Sequence, residues 1–318
     1  MRRHRLRALL AAGAIGLACL ALALVACGGS YRRADVTDTR RDVVASRYLR
    51  IATFNVRRFF DTVCDSGACG PNDYEDALTQ GELDARADQL GAAILGLDAD
   101  IVLLQEVESQ ASLDALMLRV ADRLPHGVLG ETGWPASLDV AILGPGTPTA
   151  VVRHADGPIG RVDGEDVFFA RELLEVRYEV AGLEVDVFVA HFKSKVGDEP
   201  ERRLAEAVRT REVVLAAAAA RPDALIVLGG DFNDVPGSAP LEALEADGGL
   251  ERLSGRASPN DVWTVTYQGK HLALDHLYLP PGRDALYVDG TVAAVRGRFG
   301  GGYGGSDHAA LRAVFDLP

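Results

Sequence analysis

Short apolar runs recur along the chain and alternate with segments in which apolar residues are spaced three or four apart. A short continuous apolar run is typical of a strand buried on both faces of a sheet, and strict alternation is typical of a strand with one buried face. This pattern predicts strands at 49–56, 101–106, 138–143, 149–152, 166–171, 172–178, 183–192, 224–228, 262–267, 272–278 and 309–315.

Four other segments carry a helical period. In the first of them, Leu83, Ala87 and Leu90 recur at the spacing that places them on one face of a helix. The predicted helices cover 82–97, 109–124, 200–220 and 239–246. Because helices alternate with buried strands, and no internal repeat or second block of composition appears, we predict one α/β domain over residues 49–318.

The amino terminus has a different composition from the rest of the chain. Four arginines precede an uninterrupted apolar and glycine run at 8–26, which is the pattern of an export signal. The run ends in LVACGG at 24–29, which resembles the lipobox of bacterial lipoproteins and implies cleavage before Cys27 and lipidation of its sulfur. An ordinary signal peptide or an uncleaved anchor is the alternative. We therefore predict a lipoprotein signal peptide at 1–26, and the lipidated Cys27 with a flexible polar tether at 27–48.

The net negative charge of the chain limits how it can bind a polyanion. The 318 residues include 33 Lys and Arg against 46 Asp and Glu, a net charge of −13. Without residues 1–26 the Lys and Arg fall to 29, and the net charge becomes −17. Nucleic-acid affinity normally rests on Lys and Arg side chains that contact phosphates. The negative net charge therefore excludes the class of proteins that bind nucleic acid non-specifically through bulk charge. A chain of this charge should handle phosphates locally or through a bound cation.

Two cysteines remain for the predicted domain, because Cys19 lies in the signal and Cys27 in the lipobox. Cys64 and Cys69 enclose a short loop that contains Gly67. In an exported protein this arrangement favours a disulfide. The alternative is half of a metal site, but no other Cys and no nearby His completes it.

Polar residues gather where the predicted strands end. Asp231 and Asn233 follow the strand at 224–228 and two glycines, and in an extended chain their side chains would point to the same side. The alternative for this stretch is an Asx-rich turn. The residues that end the predicted strands or lie beside their ends are Asn55, Glu106, Arg171, His191, Asp231, Asn233, Asp275, Asp307 and His308.

The residue types in this set indicate a particular chemistry. Ligands at strand ends in an alternating α/β chain suggest a site over the carboxyl edge of a sheet. Carboxylates and an amide suit a hard cation such as Mg²⁺, and Arg171 suits a phosphate. Two histidines suit proton transfer near neutral pH, and Asp275 is placed to orient one of them.

Six short motifs appear in one order along residues 49–318: FNV at 54–56, LQE at 104–106, HFKSK at 191–195, GDFN at 230–233, LDH at 274–276 and SDH at 306–308. In this order they resemble the endonuclease/exonuclease/phosphatase superfamily, the fold of deoxyribonuclease I, and HFKSK is most similar to its secreted bacterial nuclease branch. The resemblance implies a four-layer α/β/β/α sandwich of two mixed β-sheets flanked by helices. The chain departs from the family pattern in a longer glycine-rich run before Ser306, and at His276, where many members have Tyr.

The resemblance also implies a metal site. Glu106 is then the main metal ligand, with Asn55 and Asp307 nearby. Asp231 orients or deprotonates the attacking water, and Asn233 holds the phosphate. The implied cation is Mg²⁺, with Mn²⁺ or Ca²⁺ as alternatives.

The two histidines receive implied roles in the same way. His308, paired with Asp275, is an acid/base group or a phosphate contact, and His191 is the other one. Asp139 is a candidate for supporting His191. Family mechanisms differ on which group is the general base, so that choice stays open.

The function expected from these residues is a metal-dependent phosphodiesterase acting on DNA or RNA. We expect a monomer, exported and anchored in the cell envelope through Cys27. A lipid phosphodiesterase or an inositol-phosphate phosphatase of the same fold is the alternative, and a catalytically inactive binding lipoprotein is another. The chain lacks the tryptophan- and cysteine-containing signatures expected of inositol phosphatases, and its acids and histidines disfavour the inactive protein.

Overall fold

Two six-stranded β-sheets lie face to face in the computed structural model, which describes residues 47–297 and 301–318. In spatial order the first sheet consists of β15 (Ala293–Val295), β16 (Ala310–Asp316), β1 (Tyr48–Phe59), β2 (Ile101–Val107), β4 (Asp139–Gly144) and β3 (His126–Gly130). The second consists of β11 (Glu251–Arg252), β14 (Asp275–Leu279), β10 (Leu225–Asp231), β9 (Leu183–His191), β8 (Leu174–Val180) and β5 (Ala150–Arg153). Both sheets are mixed, because β1 and β10 each have one parallel and one antiparallel neighbour.

Helices cover the outer face of each sheet. The helices are α1 (Gln80–Gly96), α2 (Gln110–Val120), α3 (Pro200–Ala220), α4 (Ala239–Glu245) and α5 (Pro259–Val262). Along β1, Leu49 and Ile51 point into the core between the sheets, whereas Ala52 and Phe54 point into the core beneath α1 and α2. A third core joins the second sheet to α3 and α4. These layers confirm the predicted four-layer α/β/β/α sandwich.

Two-stranded ribbons and helix caps complete the fold. The ribbons are β6 (Gly160–Val162) with β7 (Glu165–Val167), and β12 (Val265–Tyr267) with β13 (Lys270–Leu272). Helix α1 begins with a capping box, in which the Thr79 hydroxyl accepts from the Glu82 N–H and the Glu82 carboxylate accepts from the Thr79 N–H. Ser109 caps α2 without the reciprocal bond, since its hydroxyl accepts from the Ser112 N–H. Each cap contributes about 1 kcal/mol, which fixes where the chain enters the helix.

The glycine pair in β10 serves close packing. The apolar pattern predicted that this strand ends before Gly229, but the strand continues through Gly230 to Asp231. A Cβ atom on Gly230 would lie 2.0 Å from the backbone oxygen of Ala190 in β9. A Cβ atom on Gly229 would lie 2.6 Å from Leu103 in the facing sheet. The glycines therefore let neighbouring backbone and the opposite sheet approach β10 closely.

Three predicted strands differ from the structure. In the segment 166–171 only the start is β-strand, and the Arg202 guanidinium binds the carbonyls of Phe168 and Phe169 instead of a neighbouring strand. The segment 262–267 begins with the last residue of a short helix, α5, and becomes strand only at β12. The segment 272–278 divides between β13 and β14.

Strand β3 was not predicted. Gly127 and Gly130 interrupt its apolar pattern, and its first three residues are only half-buried. It forms because it pairs with the fully buried β4 along its whole length.

Cys64 and Cys69 form a disulfide, as predicted. The predicted signal peptide at 1–26, the lipidated Cys27 and the tether up to residue 46 lie outside the described residues, and they stay predictions. No helix within 47–297 or 301–318 is both long and apolar enough to span a bilayer.

Candidate active site

Side chains from both sheets meet at one end of the sandwich. Strands β1, β2, β9 and β10 end there, and β14 begins there. Within the second sheet Asp231 lies between His191 and Asp275 in register. Asn55 joins the two sheets, since its Nδ2 donates to Glu106 Oε1 at 2.9 Å and to Asp231 Oδ2 at 3.0 Å. The structure thus brings together these five residues from the ends of separate strands.

Glu106 reaches the site because β2 is irregular where it ends. In regular alternation Glu106 would share a face with Leu104, which packs beneath the helices. Instead Glu106 has a φ of 68°, and the pairing of β2 with β4 shifts register between Gln105 and Val107. The N–H of Arg58 then donates to Glu106 Oε2 at 2.8 Å. A left-handed conformation is unfavourable for a glutamate, so the surrounding contacts must hold it.

His308 lies between two carboxylates. Its Nδ1 is 2.8 Å from Asp275 Oδ2, and its Nε2 is 3.8 Å from Asp231 Oδ2. Burial favours the neutral imidazole, but the charges of Asp275 and Asp231 outweigh burial and raise the pKa of His308 to about 10. Burial also raises the pKa of Asp231 to about 7, although the His308 charge opposes this rise. His308 is therefore a cation at neutral pH.

His191 is the second imidazole, and it is neutral. Its Nε2 is 3.8 Å from Asp231 Oδ2. Burial, followed by the charges of Arg171 and His308, holds the pKa of His191 well below its usual value. The predicted support from Asp139 is wrong, because the Asp139 carboxylate accepts from Thr132 and Ser137, and no hydrogen bond joins it to His191 in the described structure. Asp139 fixes the loop before β4.

Asn233 lies in the pocket beyond Asp231, but the chain between them is not extended. Asn233 has a φ of 52°, and its N–H donates to Asp231 Oδ1 at 2.9 Å. Its Nδ2 donates to the carbonyl of Phe192 at 3.0 Å. The stretch therefore forms the Asx-type turn that was the alternative to two parallel side chains. In this turn Asp231 Oδ1 accepts from the Asn233 N–H, and Asp231 Oδ2 accepts from Asn55 Nδ2.

Glu206 positions Arg171 and was missed in the sequence. Arg171 lines the pocket beside the Tyr74 side chain. The buried Glu206 carboxylate on α3 accepts from the N–H of Ala170 at 2.7 Å and from the N–H of Lys193 at 2.8 Å. It thus joins the two segments that carry Arg171 and Lys193. An acid among the buried positions of a helix was the signal that could have shown it.

Asp307 is the predicted ligand that the structure places apart. Its side chain is 56% exposed, and its Oδ2 lies 3.7 Å from Arg57 Nε. Among the described residues it belongs to none of the groups of acids and imidazoles whose donor atoms lie within 4.8 Å of one another. Its role as a metal ligand stays a prediction.

The donor set at the site fits a hard divalent cation. Donor atoms of Glu106, His191 and Asp231 lie within 4.8 Å of one another. Two carboxylates beside one imidazole match the oxygen-rich sets that bind Mg²⁺ or Mn²⁺. Asn55 turns its Nδ2 toward these carboxylates, while its Oδ1 accepts from the Arg57 N–H. In this orientation Asn55 holds the two acids in place. Glu106 is the residue that would ligate a cation, and the role of Asn55 as a second ligand stays a prediction.

The site forms the floor of an open pocket of about 830 Å³. Its walls come from loops, from the end of β1 and from the start of α3, and the sequence pattern assigned no role to most of their residues. The wall residues are Arg58, Tyr74, Trp134, Phe168, Phe169, Arg171, Lys193, Val196 and Arg202. Trp134 is 74% exposed and Phe168 is 47% exposed, so flat aromatic faces stand beside guanidinium and ammonium groups at the mouth.

Several solved structures share this fold. The structure of D. rerio TDP2 complexed with single strand DNA product is 17% identical, covers 86% of this chain and 100% of that chain, and has a TM-score of 0.60. The human Nocturnin catalytic domain with bound sulfate anion is 16% identical, covers 86% and 95%, and has a TM-score of 0.58. A beta toxin mutant from Staphylococcus aureus with bound magnesium ions is 18% identical, covers 83% and 98%, and has a TM-score of 0.54. A comparison with curated protein sequences finds no match.

Two mixed sheets flanked by helices, with acids and histidines where the central strands end, define a protein of the deoxyribonuclease I-like class. The chain belongs to the Endonuclease/Exonuclease/phosphatase family, whose sequence profile matches residues 52–308. Members of this family are metal-dependent hydrolases.

Proposed function

We propose that the protein is a metal-dependent phosphodiesterase that hydrolyses DNA or RNA at the cell envelope. One observation carries the proposal: Glu106, Asp231, His191 and His308 converge on the floor of an open pocket. The pocket volume of about 830 Å³ suits a nucleotide-sized group.

The environment of each side chain is compatible with a specific role in phosphodiester hydrolysis. A bound divalent cation, Mg²⁺ or Mn²⁺, would polarise the phosphoryl oxygen and offset charge in an in-line displacement. Asp231 orients the attacking water and accepts its proton, because burial already raises the pKa of this carboxyl to about 7. His308 is a cation, so it donates a hydrogen bond or a proton to the phosphate. His191, which is neutral, binds a phosphate oxygen or the water beside Asp231.

The pocket walls favour a nucleic acid over a lipid or an inositol phosphate. The predicted mature chain is strongly acidic, yet Arg58, Arg171, Lys193 and Arg202 lie together around this pocket. Exposed aromatic rings beside cations are the features on which successive bases of a single strand stack. The likeness to the D. rerio TDP2 complex with a DNA product supports the same substrate class.

Cleavage of defined substrates by the purified protein tests the proposal. We expect Mg²⁺-dependent degradation of single-stranded DNA or RNA that stops in excess EDTA, with no turnover of sphingomyelin vesicles or inositol polyphosphates. Trp134→Ala should weaken catalytic efficiency on the nucleic acid about 10-fold, the loss of one stacked base, and leave bis(4-nitrophenyl) phosphate unaffected. Leu118→Ala, another exposed apolar residue, is the control. Turnover of a lipid or inositol substrate with none of nucleic acid would reject the nuclease.

We also propose the envelope location, which rests on the basic, apolar and lipobox pattern of residues 1–29. Cells that express the protein should incorporate labelled palmitate into it, and Cys27→Ala should abolish the label and leave residues 1–26 uncleaved. An unlabelled wild-type protein would instead indicate an ordinary signal peptide or an uncleaved anchor.

A further inference from the structure

Tyr74 lies in the wall of the active-site pocket, in the segment between β1 and α1. Its side chain is 56% exposed, so a bound substrate can reach it. The Tyr74 hydroxyl lies beside the Arg171 guanidinium, and Glu106 is close enough for its charge to act on the same phenol. Tyr74 therefore shares one region of the pocket with a cation that suits a phosphate and with the candidate metal ligand.

Contacts with β1 fix the Tyr74 ring. The Arg58 guanidinium lies 5.5 Å from the centre of this ring and donates to the carbonyl of Tyr74. The Phe60 ring packs against it edge to face, with the ring centres 5.9 Å apart. The Arg58 N–H also donates to Glu106 Oε2 at 2.8 Å, so one residue of β1 contacts both Tyr74 and Glu106. The position of the ring relative to Glu106 is thus set before a substrate binds.

The disulfide loop holds the backbone that follows Tyr74. Both carboxylate oxygens of Glu75, the next residue, accept backbone N–H groups, from Asp65 at 2.6 Å and from Ser66 at 2.7 Å. Asp65 and Ser66 belong to the loop that the disulfide closes. Because a closed loop has fewer conformations than an open one, these bonds give the Tyr74 segment a firmer anchor.

The Tyr74 hydroxyl is a hydrogen-bond donor at neutral pH. Partial burial in the pocket raises the pKa of Tyr74 above its ordinary value, although the charge of Arg171 opposes this rise. A protonated phenol donates one hydrogen bond, and a guanidinium donates several in one plane. Two adjacent donors of this kind can bind two oxygens of one phosphate, and hydrogen bonds to a charged acceptor are stronger than neutral ones.

We propose that Tyr74 is a substrate-binding residue whose hydroxyl donates to a non-bridging phosphate oxygen beside Arg171, and that the disulfide loop positions it. This inference rests on the proposed phosphodiesterase function. The contact is with the phosphate, so it contributes equally for every base and every leaving group. Trp134, by contrast, is proposed to stack on a base and should matter only for nucleic acid.

Tyr74→Phe tests the hydroxyl, because this variant keeps the ring and its packing against Arg58 and Phe60. We expect the Mg²⁺-dependent kcat/KM to fall at least about 10-fold, the value of one hydrogen bond to a charged group. The fall should be the same on single-stranded DNA and on bis(4-nitrophenyl) phosphate. Tyr48→Phe is the matched control and should equal wild type, because Tyr48 begins β1 at the opposite end of the strand from the pocket.

The outcomes separate this inference from the function on which it rests. If wild type cleaves neither substrate with Mg²⁺, the proposed function is rejected, and the role of Tyr74 with it. If wild type is active and Tyr74→Phe matches it, only the role of Tyr74 is overturned. A loss confined to DNA would also overturn that role, since it would indicate a contact with a base.

A double replacement, Cys64→Ser with Cys69→Ser, tests the positioning by the disulfide loop. In the otherwise wild-type protein it should lower kcat/KM by no more than Tyr74→Phe does, with the Tm as a check on folding. In the Tyr74→Phe background it should cost little further activity, because the hydroxyl that the loop positions is already absent. Equal losses in the two backgrounds would overturn the positioning, since the disulfide would then act independently of Tyr74.

Discussion

Replacing Glu106 by Gln is expected to lower the turnover of nucleic acid by at least about 10³-fold at saturating Mg²⁺, because several kcal/mol of charge stabilisation depend on a correctly placed cation. Glu106 supplies a carboxylate that faces Asn55 Nδ2 and lines the pocket. Glutamine has the same shape, and its side-chain oxygen can still accept from the Arg58 N–H. The variant therefore removes the charge and the bond from Asn55 Nδ2, and it keeps the backbone contact.

The measurement is kcat on a single-stranded substrate, with circular dichroism and the Tm as checks on folding. Glu242→Gln is the matched control, because Glu242 is exposed on α4, away from the pocket. Its activity should equal that of wild type. If Glu106→Gln retains more than a tenth of wild-type turnover, or if wild type turns over fully in excess EDTA, the assignment of Glu106 to a catalytic cation is wrong.

Removal of the His308–Asp275 pair should be equally informative, because the two side chains act as a unit. Each single replacement, His308→Ala or Asp275→Ala, is expected to lower kcat at least about 10²-fold, the low end for acid–base catalysis. The hydrogen bond of 2.8 Å between His308 Nδ1 and Asp275 Oδ2 fixes the ring and keeps it charged. Once one partner is absent, loss of the other should add little, so the double variant should resemble the worse single variant.

A titration separates this pairing from general damage to the site. In metal-free protein we expect Asp275→Asn to lower the pKa of His308 from about 10, because burial remains while the largest of the charges that raise this pKa is lost. Nuclear magnetic resonance of the imidazole protons follows the change. His276→Gln is the control, since the His276 ring lies beside Ser254 and, in the described residues, no hydrogen bond joins it to Asp275. Multiplicative losses in the double variant, or an unchanged His308 pKa, would show that the two residues act independently.

Much of the site could be predicted from where polar residues follow apolar runs. A strand buried on both faces disfavours a charged side chain that has no partner, so a charged residue after an apolar run indicates where the strand leaves the core. Parallel neighbouring strands end at the same edge of a sheet. This rule alone predicts that His191 and Asp231 are adjacent, as the structure shows. The same reasoning, together with the family resemblance, placed Asn55 and Asp275 beside them, and the structure agrees.

Other features depended on contacts that the sequence pattern does not show. Alternation alone places Glu106 toward the helices, and only the left-handed turn at the end of β2 rotates it into the site. Asp231 and Asn233 were expected to point the same way, but a turn separates them. Asp139 has local hydroxyl partners that a pattern of strands cannot reveal.

The sequence by itself determined most of the strands and helices and the edge at which the chemistry lies, because burial and side-chain alternation are local properties of each element. The four layers followed from the family resemblance and not from that pattern. Only the tertiary structure decided which side chains line the pocket and how Glu106 turns into it. Trp134 and Phe168 come from loops far apart in the chain, and the left-handed conformation of Glu106 is held by the Arg58 N–H of β1. Such contacts depend on where distant segments pack against one another, and a local pattern of apolar and polar residues does not encode that packing.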